Sequence, residues 1–314
     1  MKVVTPSRGA HALRAARCHA TTGKPQVDVV LCVTGQSRVA RALHDTLSRS
    51  HSLSRSLPLY FARSSGFLAF GSHCGFLQAV IDEDLEIAGV MGTSSGALVG
   101  SLFAAGLSPL DILAEFASTK PIERIRLNKN PWRGIFNLSP AIERLTALVP
   151  ADFETLNIPL AVGVVSANDM RYAVVSSGSL PEAVVASAAV PVLFCPVVIP
   201  GRGEHVDGGL KSRVGLEAWR GLDRLHHPTA VHVVGRSSPF SGSSAVSGTK
   251  IESDENDEND GRREGELSDV VVVHSTRSKS SFWNLDEARL REHFDASYEA
   301  ARLELAASHD KLTR

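Results

Sequence analysis

Ser94 stands at the centre of a Gly-x-Ser-x-Gly motif, with Gly92 and Gly96 on either side, and this motif is suited to nucleophilic chemistry. The apolar run over residues 85–91 predicts a strand before it, and the small-residue run over residues 97–105 predicts a helix after it. A serine on a sharp turn between a strand and a helix is a nucleophile elbow, and its glycines let the two elements approach closely. Because the helix N-terminus also favours negative charge on an oxyanion, we predict that Ser94 is the nucleophile of an acyl hydrolase.

Two further glycine-containing motifs could supply the backbone N–H donors and the carboxylate that such a nucleophile needs. The run Gly71-Ser72-His73-Cys74-Gly75 follows a short apolar stretch, residues 67–70, that predicts a strand. A turn there would present backbone N–H groups to an oxyanion, although an ordinary strand-to-helix turn has the same composition. The run Val206-Asp207-Gly208-Gly209 places a carboxylate at the end of a predicted strand, although Asp-Gly-Gly is also a common turn sequence.

The order and spacing of these motifs, taken together, resemble those of the patatin-like phospholipase family. The resemblance runs from about residue 67 to residue 211, near half of the chain. It includes LAFG, then GVMGTSSGALVGSLFAAGLSP around Ser94, and then the long stretch AVVSSGSLPEAVVASAAVPVLFCPVVIPGRGEHVDGGLKSR. The last of these follows the family's order of a helix near the substrate, an ASxAxP turn, an FxPV strand and a terminal DG[GA].

The resemblance implies a three-layer α/β/α fold around a mostly parallel sheet, and a serine–aspartate dyad without histidine. Ser94 would attack a lipid ester and Asp207 would be the general base, so the two side chains must touch in a partly desolvated site. Backbone N–H groups of Gly71, Ser72 and His73 would hold the oxyanion. The family's loop is usually richer in glycine and carries a basic residue, which GSHCG lacks, and His73 is the candidate to replace that charge.

Three alternatives stay open at this stage. A Ser–His–Asp hydrolase would use one of the histidines near predicted strands, His205, His232 or His274, with His274 in the expected chain order. An acyltransferase also has a Gly-x-Ser-x-Gly elbow and a distant histidine. A lipid-binding relative with impaired catalysis would fit the altered GSHCG run.

The composition of the chain differs along its length. Residues 1–66 carry ten Lys and Arg against two acids and are rich in serine, which is typical of an organelle transit peptide or of a basic tail. The apolar run over residues 27–33 favours a folded strand within this extension. Residues 67–314 are the predicted catalytic domain, whose alternating strands and helices indicate an α/β architecture. The Ser/Gly-rich and acidic stretch 237–269 is predicted to be a disordered insertion.

These features also predict the partners of the protein. The net charge of −1 gives no reason to expect a nucleic-acid partner, and no metal or cofactor is implied. No apolar run reaches the roughly 18 residues of a membrane-spanning helix, so a lipid substrate would be met by peripheral contact with a membrane surface. We expect a plastid or mitochondrial location if the extension is a transit peptide, and a cytoplasmic location otherwise.

Overall fold

The central sheet owes its arrangement to apolar runs that are buried on both faces. The computed structural model describes residues 23–33, 68–119, 121–211, 215–236, 269–277 and 286–313. Its strands, numbered in chain order, are β1 Gln26–Val33, β2 Glu86–Gly92, β3 Arg126–Leu127, β4 Phe136–Asn137, β5 Leu160–Ser166, β6 Tyr172–Val175, β7 Val197–Ile199, β8 Gly203–Asp207, β9 Thr229–Arg236 and β10 Val270–Arg277. Its helices are α1 Phe70–Asp82, α2 Ser95–Ala104, α3 Pro109–Ser118, α4 Ser139–Thr146, α5 Leu180–Ser187, α6 Leu216–Arg220, α7 Glu287–Ala307 and α8 His309–Leu312.

The main sheet has the order β10-β9-β1-β2-β5-β8-β7, and β6 pairs with β5. The strands from β10 to β5 are parallel, whereas β8 runs antiparallel to β5 and to β7, and β6 runs antiparallel to β5. This confirms a mixed sheet with mostly parallel strands. The antiparallel pair β5–β8 places Asp207 opposite Val164, so the end of β8 lies beside the middle of the sheet.

Alternate residues of the central strands face two different helix layers. On one face they pack with α1, α2, α5 and α7, and on the other they pack around Trp219 of α6. In β1, for example, Val29 and Leu31 belong to the first core, and Val30 and Cys32 belong to the second. The fold is therefore a three-layer α/β/α arrangement, as expected from the sequence.

The domain begins earlier than residue 67, the start that the sequence predicted. Strand β1 comes from the basic extension and lies between β2 and β9, with parallel pairing on both sides. An all-apolar run such as VVLCV is what a central parallel strand requires, because both of its faces are covered. The rest of the extension, residues 1–22 and 34–66, lies outside the described residues, as do Phe67 and most of the acidic insertion, residues 237–268.

The GSHCG run is not a turn after a strand, which corrects the sequence-based expectation. Phe70 already begins α1, and residues 71–75 form its first turns. Gly71 and Gly75 lie on one face of α1, against the backbone of α7, where a Cβ atom would come within 2.3 Å of Leu290 O and 2.2 Å of Phe294 O respectively. These glycines are needed for the close packing of two helices rather than for a loop.

The strand predicted over residues 85–91 and the helix predicted over residues 97–105 are confirmed to within two residues, as β2 and α2. Within the described part of the chain, no helix combines the length and the apolar character that crossing a bilayer requires.

Candidate active site

The strand–turn–helix around Ser94 has the strained geometry of a nucleophile elbow. Ser94 adopts φ 57° and ψ −121°, a conformation that costs energy for a residue with a side chain. A Cβ atom on Gly92 would lie 2.6 Å from the Cα atom of Ala97, and one on Gly96 would lie 2.3 Å from Leu31 O. The two glycines of the motif are therefore required by close contacts, with α2 in one case and with β1 in the other.

Asp207, the last residue of β8, forms a hydrogen bond with Ser94. The Ser94 hydroxyl donates a 2.8 Å hydrogen bond to Oδ2 of Asp207, and both side chains are buried. The other carboxylate oxygen, Oδ1, accepts a 2.8 Å bond from the backbone N–H of Gly209. This second bond fixes the orientation of the carboxylate toward the serine.

The Asp-Gly-Gly turn also depends on the absence of a side chain. A Cβ atom on Gly208 would lie 2.2 Å from Gly163 O in the neighbouring strand β5. Because this contact is to backbone, it could be relieved only by moving β8 away from β5. Gly208 therefore allows the close approach that holds Asp207 beside the elbow.

Ser187 is a site residue that the sequence analysis did not single out. It is the last residue of α5, and its hydroxyl accepts a 3.0 Å bond from the Ser94 N–H and donates a 2.7 Å bond to Gly163 O. One buried hydroxyl thus joins α5, β5 and the elbow. Its signal in the sequence was the serine of ASAAVP, whose role is visible only once the chain is folded.

The backbone donors nearest to Ser94 are those of the α2 N-terminus. The N–H groups of Gly96 and Ala97 donate to Thr93 O and Ser94 O. Among the described residues, none accepts a hydrogen bond from the N–H of Ser95, the first residue of α2. The N–H of the residue that follows the nucleophile is a common oxyanion donor at such elbows.

The residues that sequence analysis proposed as the oxyanion turn have other contacts. The N–H of His73 donates to Ala69 O, and Nδ1 of His73 lies 3.0 Å from Nδ1 of His232. Gly71 packs against α7 as described above, and Ser72 lies buried beside it in α1. The run Gly71–Ser72–His73 is therefore part of the first turns of a helix and not a loop, which corrects its predicted conformation.

The histidines of the alternative Ser–His–Asp site are engaged elsewhere. His274 is exposed on β10, three strand positions from β2, or roughly 14 Å at the usual strand spacing. His232 is buried, and its Nε2 lies 2.9 Å from the hydroxyl of Ser275. His205 shares the strand of Asp207, and its Nδ1 lies 3.0 Å from Gly203 O.

Among the described residues, no group of three His, Cys, Asp or Glu side chains is placed to hold a metal ion. Burial raises the pKa of Cys32 to about 12 and raises that of Cys74 further, so neither thiol ionises readily.

An apolar cavity of about 100 Å³ is lined in part by residues of α2 and α5, the helices that adjoin Ser94. Leu98 of α2, one helical turn after Ser94, lines it, as do Val185 and Ala188 on either side of Ser187. Glu115 and two arginines form its polar margin, with Arg144 making bonds of 2.8 and 2.6 Å to Glu115 and Arg124 lying 3.3 Å from the same carboxylate. The other lining residues are mostly apolar: Phe70, Leu102, Phe116, Thr119, Ile125, Leu138, Ala141, Leu145 and Leu148.

Comparison with known proteins gives one family. The sequence profile described as patatin-like phospholipase matches residues 62–218, half of the chain. Among curated proteins, none matches this sequence. A similar solved structure is the crystal structure of VipD from Legionella pneumophila, with 14% sequence identity and a TM-score of 0.39. The match covers 75% of this chain and 65% of the VipD chain.

Proposed function

Because this chain belongs to the patatin-like phospholipase family, we propose that it is a serine lipid acyl hydrolase that cleaves acyl esters of membrane lipids through an acyl-enzyme. The observation that carries the proposal is the 2.8 Å hydrogen bond from the Ser94 hydroxyl to the Asp207 carboxylate. It is supported by the strained elbow at Ser94 and by the apolar cavity that Leu98 and Ala188 line.

In the first half of the proposed reaction, Ser94 Oγ attacks the ester carbonyl carbon while its proton passes to Oδ2 of Asp207. A carboxylate is a weak base for a hydroxyl, so direct contact in a buried site is needed for this transfer. The negative charge that forms on the carbonyl oxygen would be stabilised by the Ser95 N–H and by the α2 N-terminus. The leaving alkoxide then takes the proton from Asp207, and the acyl group stays on Ser94.

In the second half, Asp207 takes a proton from water as the water oxygen attacks the acyl carbon. Collapse of the new tetrahedral intermediate returns the proton to Ser94 Oγ and releases the fatty acid. Gly209 and Ser187 support both halves, since they hold the carboxylate and the Ser94 backbone in place. The cavity next to Leu98 and Ala188 would receive part of the acyl chain during both steps.

The test is to incubate the full chain with phospholipids, galactolipids and neutral lipids, and to identify the products by mass spectrometry. We expect free fatty acid from at least one lipid class, and covalent labelling of Ser94 by a fluorophosphonate. Absence of both turnover and labelling would favour a lipid-binding relative. Complete loss of activity in His274→Ala would instead favour a Ser–His–Asp mechanism.

A further inference from the structure

A two-stranded hairpin, residues 126–137, projects two large apolar side chains into solvent. Its strands are β3 and β4, in which Leu127 pairs with Phe136. Leu127 is 75% exposed and Trp132 is 81% exposed. Such exposure of two large apolar residues within one short hairpin is unfavourable in water and is typical of an interaction site.

The charges of the hairpin indicate the chemistry of its partner. Residues 126–137 contain three cations, Arg126, Lys129 and Arg133, and no carboxylate. Arg126 lies 3.8 Å from Glu143 and Arg133 pairs with Glu204, while Lys129 makes no ion pair within the described part of the chain. Tryptophan and leucine beside Lys129 and two arginines match the interface of a bilayer that carries anionic lipids.

The hairpin is rooted in the wall of the apolar cavity. Ile125, directly before β3, and Leu138, directly after β4, both line that cavity. The N–H groups of Ile135 and Phe136 also donate to Val192 O and Leu193 O, at 3.1 and 2.9 Å. These two acceptors lie shortly after α5, the helix that carries Ser187, so the hairpin is attached to the same frame that holds Ser94.

We propose that the hairpin 126–137 docks this protein on the surface of an anionic bilayer. Trp132 and Leu127 enter the interfacial region, Lys129 faces lipid phosphates, and the cavity at the base of the hairpin opens toward the acyl chains. The proposal rests on the proposed function in one respect, that the substrate is a membrane lipid. It adds the surface by which the enzyme reaches that substrate.

The experiment is co-sedimentation of the full chain, carrying Ser94→Ala so that lipid is not consumed, with phosphatidylcholine vesicles that contain either no phosphatidylglycerol or about 30% of it. We expect tighter binding to the anionic vesicles. Leu127→Ala with Trp132→Ala is expected to weaken this binding by at least about tenfold, because both apolar contacts are lost. Lys129→Gln is expected to weaken it about fivefold on anionic vesicles only.

The matched controls are Leu225→Ala and Leu303→Ala, which remove leucines that are 76% and 71% exposed elsewhere on the surface. They should leave vesicle binding unchanged, and the hairpin variants with Ser94 intact should still hydrolyse a water-soluble short-chain ester. Failure of the Ser94→Ala chain to bind vesicles, or equal losses in the controls, would overturn the proposal. Vesicle binding that depends on the hairpin in a chain inactive on every ester would overturn the proposed function but not the docking surface.

Discussion

The Ser94 hydroxyl donates to the Asp207 carboxylate across 2.8 Å, although the two residues are 113 positions apart in the chain. The pair exists because β8 runs antiparallel to β5 and ends beside the elbow that follows β2. Both side chains are buried, and the bond from the Gly209 N–H to the other oxygen of Asp207 fixes the orientation of the carboxylate toward the hydroxyl.

Removal of either member of this pair should abolish most ester hydrolysis. We expect Ser94→Ala to lower kcat/KM by at least about 10⁴-fold, and Asp207→Asn by about 10² to 10⁴-fold, since the first removes the nucleophile and the second the base. Ser101→Ala is the control, because Ser101 is a buried serine of the same helix whose hydroxyl donates to Leu98 O. Rates on a soluble ester measure the effect, and near-native activity in Asp207→Asn would contradict the assignment.

Ser187 should affect the rate through the position of Ser94. Ser187→Ala leaves the Ser94 N–H and Gly163 O without their shared partner, at a cost of about 1–3 kcal/mol for a buried polar group. We expect kcat to fall about tenfold or more, with a smaller change in KM and a slower reaction of Ser94 with fluorophosphonate. A loss of stability with an unchanged labelling rate would assign Ser187 a purely structural role.

Gly208 should tolerate no side chain. In Gly208→Ala the new methyl group would meet Gly163 O, so β8 must shift and carry Asp207 away from Ser94. We expect a loss of about 1–3 kcal/mol in unfolding free energy together with a large loss of activity. Gly221→Ala is the matched control, because a Cβ atom at Gly221 would lie at an ordinary 3.4 Å from its nearest neighbour.

Filling the apolar cavity should change the preference for acyl length. Ala141 of α4 lines the cavity, and Ala141→Trp would occupy space near its margin. We expect hydrolysis of long-chain esters to fall about tenfold relative to an acetate ester of the same alcohol. Ala147→Trp, on the exposed end of α4, should leave the ratio unchanged. If Ala141→Trp lost the same activity on both esters, the cavity would not be the binding site of the acyl chain.

His232 should make the protein less stable in mild acid. Burial, with His73 and His274 nearby, holds its pKa well below the usual value of 6.5. The unfolded chain therefore binds a proton below about pH 6.5 that the folded chain does not, and stability falls there by up to about 1.4 kcal/mol per pH unit. The free energy of unfolding, measured with urea between about pH 5 and pH 8, should fall less steeply with decreasing pH in His232→Gln than in the native protein. The control is His309→Gln, which replaces a half-buried histidine of α8.

Much of this site could be predicted from the sequence because its signals are local. The Gly-x-Ser-x-Gly spacing, the flanking apolar strand and the Asp-Gly-Gly turn each follow from what a short segment must do to turn or to pack. The family's order of motifs then associated Ser94 with Asp207. The GSHCG run was wrongly predicted to be a turn, because glycines four residues apart can serve a helix–helix contact as readily as a turn.

The sequence by itself thus determined the α/β class and predicted the elbow at Ser94 and its pairing with Asp207. Only the tertiary structure decided that β1 lies inside the sheet, that residues 71–75 are helical, and that Ser187 joins the elbow to Gly163. It also decided that Ile125 and Leu138 bring an exposed hairpin to the cavity. The physical reason is that backbone turns depend on neighbouring residues, whereas strand order, helix contacts and shared hydrogen-bond partners depend on residues far apart in the chain.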